Sequence, residues 1–307
     1  MNYKQRAALL ILGIAALCGL TLWGVARWRY RGLTTTAQWL ERLPARDAVV
    51  FYLDFDALRQ AGFMKMLAGS KVAEEPEYKV FVMKTGFDYT RDLGAVLGCF
   101  TPQAKYLVVR GRFHWDTLES YVREQSGTCH NVLCRMGGST PDRKISFFPM
   151  RPDLMALAVS PDESAVVELE SAAARRRSIL MPDAPVWLSI PPDWLKNSAG
   201  LPEGTRLFAH SLENTEDVNI SVAPQGGRFE ARLNVQCRDE QQAAVLAGQL
   251  QRITVLLGEM IAREKQAPNP RDLSGVLTAG TFQHLGVRVL GSWPIERGFL
   301  EDLLTGS

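Results

Sequence analysis

The most constraining feature of this chain is a run of twenty residues without a charge, Ala7 to Ala26, which lies between Lys4 and Arg6 on one side and Arg27 on the other. A helix rises about 1.5 Å per residue, so a helix of this length matches the roughly 30 Å hydrocarbon core of a bilayer. We therefore predict that residues 7–26 bind the lipid bilayer as a transmembrane anchor. No second uncharged run of that length follows Gly32, and the rest of the chain is expected to fold in water.

A cleaved signal peptide is the alternative interpretation of this segment. Gly24-Val25-Ala26 and Thr35-Thr36-Ala37 could each be a small-x-small cleavage site, but Arg27 would directly follow the first cut, and the second lies behind three arginines. The length of the run favours a retained anchor. The basic residues on the two sides of the run are nearly balanced, so charge does not decide which end of the anchor faces the cytoplasm. The N-terminal tail is short, and short tails of this kind are more commonly cytoplasmic. We predict a single-pass membrane protein with its C-terminal body outside the cytoplasm.

The composition is that of a folded globular protein. Hydrophobic residues make up 46% of the chain and charged residues 22%, which argues against disorder. The 35 basic and 33 acidic residues are well mixed and give a net charge of +2. Without a basic patch there is no electrostatic basis for binding nucleic acid. Beyond the anchor, roughly 275 residues are enough for one large or two ordinary domains.

Two of the five cysteines lie close together in the sequence. Cys129 and Cys134 flank Asn131 in the segment GTCHNVLCR, where a tight turn could bring the two thiols face to face. We expect a disulfide that closes this hairpin, which fits an oxidising compartment; two free thiols are the alternative. A zinc site that used Cys129, His130 and Cys134 would lack its fourth ligand. No metal site is therefore predicted.

The hydrophobic pattern alternates short strands with helices. Leu93 to Phe100 and Lys105 to Phe113 form a predicted antiparallel pair, and Trp115 to Gln125 is an amphipathic helix. Ser160, followed by Pro161 and Glu163, is typical of a capped helix start, and this helix is predicted to reach about Arg175. Arg228 to Cys237 alternates apolar and polar residues, which predicts a strand with one face in water. Asp239 and Gln242 form a predicted capping box at the start of Glu240 to Lys265, the longest predicted helix. Together these segments indicate an α+β fold in which antiparallel sheets carry helices on one face.

Corresponding segments suggest two related halves. The segment from Pro44 to Arg59 has a counterpart from Pro182 to Lys196, since each contains a strand followed by Asp-x-Leu and a basic residue. Each half then has a strand that leads into an amphipathic helix, and each is predicted to end with a strand, a proline and a helix. We predict a cytoplasmic tail and anchor over residues 1–33, a first α+β unit over residues 34–180 and a second over residues 181–307.

The sequence carries no recognisable catalytic signature, and we predict no catalytic and no cofactor-binding residues. Asp54-Phe55-Asp56 resembles the paired carboxylates that hold divalent metals, but one acid is expected to end a strand and the other to cap the following helix. The body contains no GxSxG, HExxH or SxxK arrangement. The four histidines are scattered, and only His130 lies beside a thiol.

Five segments of the body carry a family resemblance: AVVFYLDFDALR, GSKVAEEPEYKVFV and KTGFDYTRDLGAVL, all between Leu43 and Phe100, and the later CRMGGSTPDRKISFFP and PDLMALAVS. They resemble segments of a family of uncharacterised bacterial proteins that are exported or anchored by one N-terminal helix. The resemblance spans most of the body. It implies an extracytoplasmic location and an α+β architecture, and it supplies no catalytic residues.

Three functional hypotheses follow. The leading one is a membrane-anchored extracytoplasmic binding or structural module that binds another envelope or membrane protein or component, because an anchor raises the local concentration of the body for its neighbours. The second is a hydrolase or transferase of unrecognised type that uses carboxylates such as Asp54, Asp56 or Asp88. The third is an accessory subunit of a membrane complex, whose anchor packs on partners through small residues such as Gly13 and Gly19.

Overall fold

The computed structural model describes residues 33–63, 76–140, 142–171, 178–196 and 201–305. The predicted anchor, residues 7–26, lies outside these ranges. Residues 33–41 belong to a first compact unit, which is separate from the unit that begins at Arg42. In the first unit, helix α1 (Thr36–Leu40) begins with a capping box, in which Thr35 and Gln38 bond to each other's backbone N–H groups. The Trp39 indole donates a hydrogen bond to the Leu33 carbonyl at 2.9 Å.

The unit that begins at Arg42 contains twelve strands and ten helices among its described residues. The strands are β1 (Val49–Asp54), β2 (Leu93–Phe100), β3 (Lys105–Gly111), β4 (Thr128–His130), β5 (Leu133–Gly137), β6 (Lys144–Arg151), β7 (Leu154–Ser160), β8 (Val186–Ile190), β9 (Asp217–Gln225), β10 (Arg228–Gln236), β11 (Thr281–Leu285) and β12 (Arg288–Ile295). The helices are α2 (Phe55–Gln60), α3 (Pro76–Thr85), α4 (Tyr89–Asp92), α5 (Trp115–Glu124), a 3-10 helix (Ala165–Leu169), α6 (Pro192–Leu195), α7 (Glu203–Leu212), α8 (Glu240–Arg263), α9 (Leu273–Thr278) and α10 (Arg297–Thr305).

All twelve strands belong to one antiparallel sheet. Its order is β11-β12-β10-β9-β8-β1-β2-β3-β7-β6-β5-β4. The predicted pairing of Leu93–Phe100 with the strand that starts at Lys105 is confirmed by the register of β2 and β3. The α+β class and the antiparallel pairing are therefore correct. Where separate sheets were expected, the strands form one continuous sheet.

The strand order repeats outward from the centre of the sheet. From β1 it runs β1-β2-β3-β7-β6, and from β8 it runs β8-β9-β10-β12-β11. Each long helix occupies the same place in its half, since α5 follows β3 and α8 follows β10. The β4–β5 hairpin has no counterpart in the described part of the second half. The segments paired in the sequence comparison thus occupy topologically corresponding positions.

The long helices α5 and α8 of the two halves pack on the same face of the sheet, here called the helix face. Directly paired residues point to the same side of a sheet, and one such row runs across it through Val109, Val96, Leu53, Val186, Val222 and Ala231. In the first half, Leu118 and Val122 of α5 pack against Val109. In the second half, Leu246 and Leu250 of α8 pack against Leu233 and Val235 of β10.

Helix α8 is the longest element, as the sequence predicts. It is capped by Asp239, whose carboxylate accepts a hydrogen bond from the Gln242 backbone N–H at 2.7 Å. Among the described residues it is the one helix that is long and apolar enough to cross a membrane by length and composition, a property that the sequence analysis did not assign to it. Five of its residues, Ala243, Leu246, Ala247, Leu250 and Thr254, are buried in the protein core.

The helix predicted from Ser160 to about Arg175 is wrong. Ser160 is the last residue of β7, and its hydroxyl accepts a hydrogen bond from Asp162 N at 3.2 Å, two residues ahead. Asp162 Oδ1 accepts in the same way from Ser164 N at 2.8 Å. These local turns replace a helix cap, and the described residues contain only the short 3-10 helix. The terminal helix predicted at Pro294 also begins later, at Arg297, because β12 extends through Pro294 to Ile295.

Candidate functional site

The face opposite the helices, here called the far face, changes character from one half of the sheet to the other. Two rows of directly paired residues cross nine strands on this face. The Trp187 row consists of Ala156, Val108, Leu97, Tyr52, Trp187, Ser221, Arg232, Ser292 and Thr281. The Ser189 row consists of Ala158, Tyr106, Cys99, Val50, Ser189, Asn219, Asn234, Leu290 and Gln283. Both rows are mainly apolar in the first half and mainly polar in the second.

In the first half the far face is buried. Ala156, Val108, Leu97 and Cys99 have no exposed surface. The 3-10 helix contributes to this cover, because Val166 N donates a hydrogen bond to Ser146 Oγ of β6 at 3.4 Å. Burial raises the pKa of the Cys99 thiol to about 12, so this cysteine is an unreactive core residue. The middle of the far face is therefore covered in the first half, while Tyr52 of β1 stays partly exposed.

In the second half, Trp187 and Ser189 of β8 are buried, and the outer strands of the far face bound a cavity of about 580 Å³, a size typical of small-molecule sites. Its floor, here called the polar surface, is formed by Asn219, Ser221, Arg232, Asn234, Gln283 and Ser292. The segment 180–184 forms a wall, in which Leu180 and Met181 are both more than a third exposed. Leu290 adds an apolar position between the polar side chains. The cavity thus combines hydrogen-bonding side chains with a larger share of apolar surface.

Local hydrogen bonds hold several of these side chains. Arg232 Nε and Nη2 both donate to Glu230 Oε2, at 2.9 and 2.7 Å. The Thr281 and Ser292 hydroxyls are 3.0 Å apart. Asn219 is only 4% exposed; its Nδ2 donates to Asp217 Oδ2 at 2.5 Å, while no donor among the described residues reaches its Oδ1. This oxygen has almost no accessible surface, so its missing hydrogen bond is an energetic cost of the fold.

The three carboxylates considered for catalysis each stabilise local structure. Asp54 ends β1 and caps α2, accepting from Ala57 N at 2.9 Å. Asp56 forms ion pairs with Arg59 at 2.6 Å and with Arg110 at 3.0 Å. The roles differ from the prediction in one respect, because Asp54 alone both ends the strand and caps the helix. Asp88 caps α4, accepting from Thr90 N at 2.9 Å and from the Tyr78 hydroxyl at 3.1 Å.

A second depression lies beside Asp56, at one end of β2 and β3. It is lined by alternating arginine and aspartate side chains, including Arg110, Arg112 and Asp92. Asp92 is 8% exposed and pairs with Arg91 at 2.7 Å and with Arg112 at 3.0 Å. The hydrogen bond from Arg91 lowers the pKa of Asp92 below its ordinary value. The four arginines and three aspartates that line the depression form several ion pairs, which is typical of a structural ion-pair network.

No metal centre is found in the part of the chain that the structure describes, where no three His, Cys, Asp or Glu side chains come close enough to share an ion. His130 and Cys129, which the sequence placed side by side, are successive residues of β4. Their side chains therefore point to opposite sides of the strand.

Cys129 and Cys134 form a disulfide, with an S–S distance of 2.01 Å. They are direct partners across the β4–β5 hairpin. The turn contains Asn131 with a positive φ of 54°, a conformation that asparagine tolerates better than most residues. The turn at Asn131, which the sequence predicts, therefore also places the two cysteines opposite each other.

We expect the double substitution Cys129→Ser/Cys134→Ser to lower the free energy of unfolding by about 2 kcal/mol, because a cross-link over a short loop restricts the unfolded chain. Denaturant unfolding with and without dithiothreitol measures this effect. The reductant should destabilise the native protein and leave the double variant unchanged, since the described Cys99 and Cys237 are free thiols buried in the core. Equal stability of the native protein with and without reductant would contradict the prediction.

Comparison with known proteins shows the fold. No protein-family model and no curated protein matches this chain. Among solved structures, crystal form III of TP0453 is similar with a TM-score of 0.51 and 11% identity over 87% of this chain and 98% of that one. Crystal form I of TP0453 gives a TM-score of 0.50 and 12% identity over 86% and 94%. At this identity the likeness extends to the fold alone: the chain shares the overall architecture of TP0453.

Proposed function

We propose that this protein is a single-pass, membrane-anchored module that binds another component of the cell envelope outside the cytoplasm, without catalysing a reaction on it. The observation that carries the proposal is the contrast between the two halves of the far face. The apolar positions of the first half are mostly buried, whereas most of the corresponding positions of the second half are polar, and those on β9, β10, β12 and β11 line a cavity. A cavity that places hydrogen-bonding side chains beside apolar surface is suited to an external ligand.

The proposed location rests on three observations. The uncharged run of residues 7–26 has the length of a membrane span. The Cys129–Cys134 disulfide is typical of proteins in oxidising compartments. The sequence resemblance to exported or anchored bacterial proteins, to which we propose this chain is related, supports the same location. We further propose that the two halves arose by duplication, because their strand orders agree from the centre of the sheet outward.

The enzymatic alternative is less well supported. An active site needs ionisable groups that converge on a cavity, whereas Asp54, Asp56 and Asp88 are occupied by helix caps and ion pairs. The titratable side chains that line the far-face cavity are Asp183, Glu230 and Arg232, of which the last two are paired with each other. A binding role requires no such convergence.

Site-directed photo-crosslinking in native membranes tests the proposal. A photoreactive residue is introduced at Gln283, which is exposed on the polar surface, and as a control at Gln241, which is exposed in the first turn of α8. We expect a specific adduct from position 283 alone, and retention of the full-length chain in membranes after alkaline carbonate washing. Equal labelling from both positions, or release of a shortened chain by the wash, would contradict the proposal.

A further inference from the structure

We propose that the polar surface binds a neutral oligosaccharide that lies across strands β9, β10, β12 and β11. This inference rests on the proposed binding function and adds the chemical class of the ligand. It follows from three features of the cavity: the kind of side chain on its floor, the state of its charges and its position on the sheet.

The side chains of the floor both donate and accept hydrogen bonds. Asn219, Asn234 and Gln283 carry amides, and Ser221 and Ser292 carry hydroxyls. Each amide offers two donors and an acceptor, and each hydroxyl offers a donor and an acceptor. A sugar presents the same mixture of donors and acceptors in its hydroxyl and acetamido groups.

The charges exclude a strongly anionic ligand. Arg232 is the one cation among the described residues that line the cavity, and both of its bonded nitrogens are directed to Glu230. Phosphate and carboxylate groups are usually held by free arginines or helix N-termini. With Asp183 and Glu230 also present, the cavity lining carries slightly more negative than positive charge. The ligand is therefore expected to be neutral.

The position of the cavity favours a sugar over a peptide. An extended peptide usually adds to the edge of a sheet, where backbone groups are free, whereas this cavity lies on a sheet face. Leu180, Met181 and Leu290 place apolar surface beside the amides, as suits the C–H faces of a sugar ring. Neighbouring strands are about 4.8 Å apart, so the row from Asn219 through Asn234 and Leu290 to Gln283 spans roughly 14 Å. That length accommodates several linked sugar units.

The test uses the purified full-length chain in detergent and isothermal titration calorimetry. The probes are the β-1,4-linked tetramer of N-acetylglucosamine, the corresponding neutral glucose tetramer, the anionic tetramer of galacturonate and a neutral tetrapeptide. We expect saturable binding of at least one neutral tetramer, tighter than that of its dimer, and no binding of the anionic tetramer or the peptide. Binding of the galacturonate tetramer or the peptide in preference to the neutral sugars would overturn the inference.

Variants locate the binding. Asn234→Ala and Gln283→Ala should each weaken binding by about 3- to 10-fold, the effect of one neutral hydrogen bond. The matched control Gln241→Ala, outside the cavity, should bind as the native protein does, and all three variants should keep the native melting temperature. Binding that is unaffected by Asn234→Ala and Gln283→Ala would place the sugar elsewhere and refute the assignment.

The outcomes separate this inference from the function on which it rests. If crosslinking from position 283 captures a protein and neither neutral tetramer binds, the ligand class is wrong and the binding function stands. If no adduct forms and no tetramer binds, both the binding function and the ligand class are wrong.

Discussion

Replacement of Leu250 by alanine is expected to lower the free energy of unfolding by about 3 to 4 kcal/mol, since deletion of a fully buried leucine side chain removes its burial and leaves a cavity. Leu250 has no exposed surface and lies in the core between α8 and the sheet, together with Leu233, Val235 and Leu246. These neighbours belong to well-ordered strands and to the same long helix, so the site has little freedom to collapse. Urea unfolding of the full-length chain in detergent measures the loss.

Leu256→Ala is the matched control. Leu256 lies on the same helix but is 44% exposed, and its replacement should change the stability by no more than about 0.5 kcal/mol. The comparison also tests the role of α8, whose composition alone is compatible with a membrane span. Equal losses at positions 250 and 256 would show that the helix does not use one face to pack on the sheet.

Replacement of Gly127 by alanine is expected to destabilise the protein by up to about 3 kcal/mol, because it overfills a tightly packed site. Helix α5 ends in a Schellman motif, in which Gly127 N bonds to Val122 O at 2.8 Å and Ser126 N bonds to Arg123 O at 3.1 Å. A Cβ atom on Gly127 would collide with the Arg135 carbonyl oxygen of β5 and would lie 2.9 Å from Val122 O. Both are backbone atoms, so the strain can be relieved only by moving the helix end or the hairpin.

Gly137→Ala serves as the control, because no atom lies within 4 Å of the Cβ position there. It should leave the free energy of unfolding unchanged within about 0.5 kcal/mol, or raise it slightly by restricting the unfolded chain. Thermal unfolding followed by circular dichroism compares both variants with the native protein. A Gly127→Ala protein as stable as Gly137→Ala would mean that the α5 end and the hairpin do not approach each other as described.

The sequence predicted the elements whose patterns are strong and local. The alternation in Arg228–Gln236 identified a strand with one wet face, and its polar positions, including Arg232 and Asn234, now prove to line the cavity. Asp239 with Gln242 marked the start of α8, because a cap followed by a long apolar stripe has few alternative structures. The turn at Asn131 likewise placed Cys129 opposite Cys134.

Other features depend on contacts distant in sequence and could not be predicted in this way. Ser160 has the residue pattern of a helix cap, but its hydroxyl bonds two residues ahead, and the following segment packs on β6 and β7. Strands β9 and β11, which complete the polar surface, were not predicted. The pairing of Asn219 with Asn234, and of Leu290 with Gln283, emerges only from the registers of four strands. No single segment of the sequence could therefore predict that these side chains come together around a cavity.

The pairing of β1 with β8 has a consequence for the order in which this protein folds. It is the one strand pair among those described that joins the two halves, and it brings Val50 beside Ser189. All other described pairings connect strands within one half, so they close much shorter loops and are kinetically favoured. We expect the strands of each half to pair first and β1 to pair with β8 late in folding. Formation of the β1–β8 pair would then be the step that fixes the native topology.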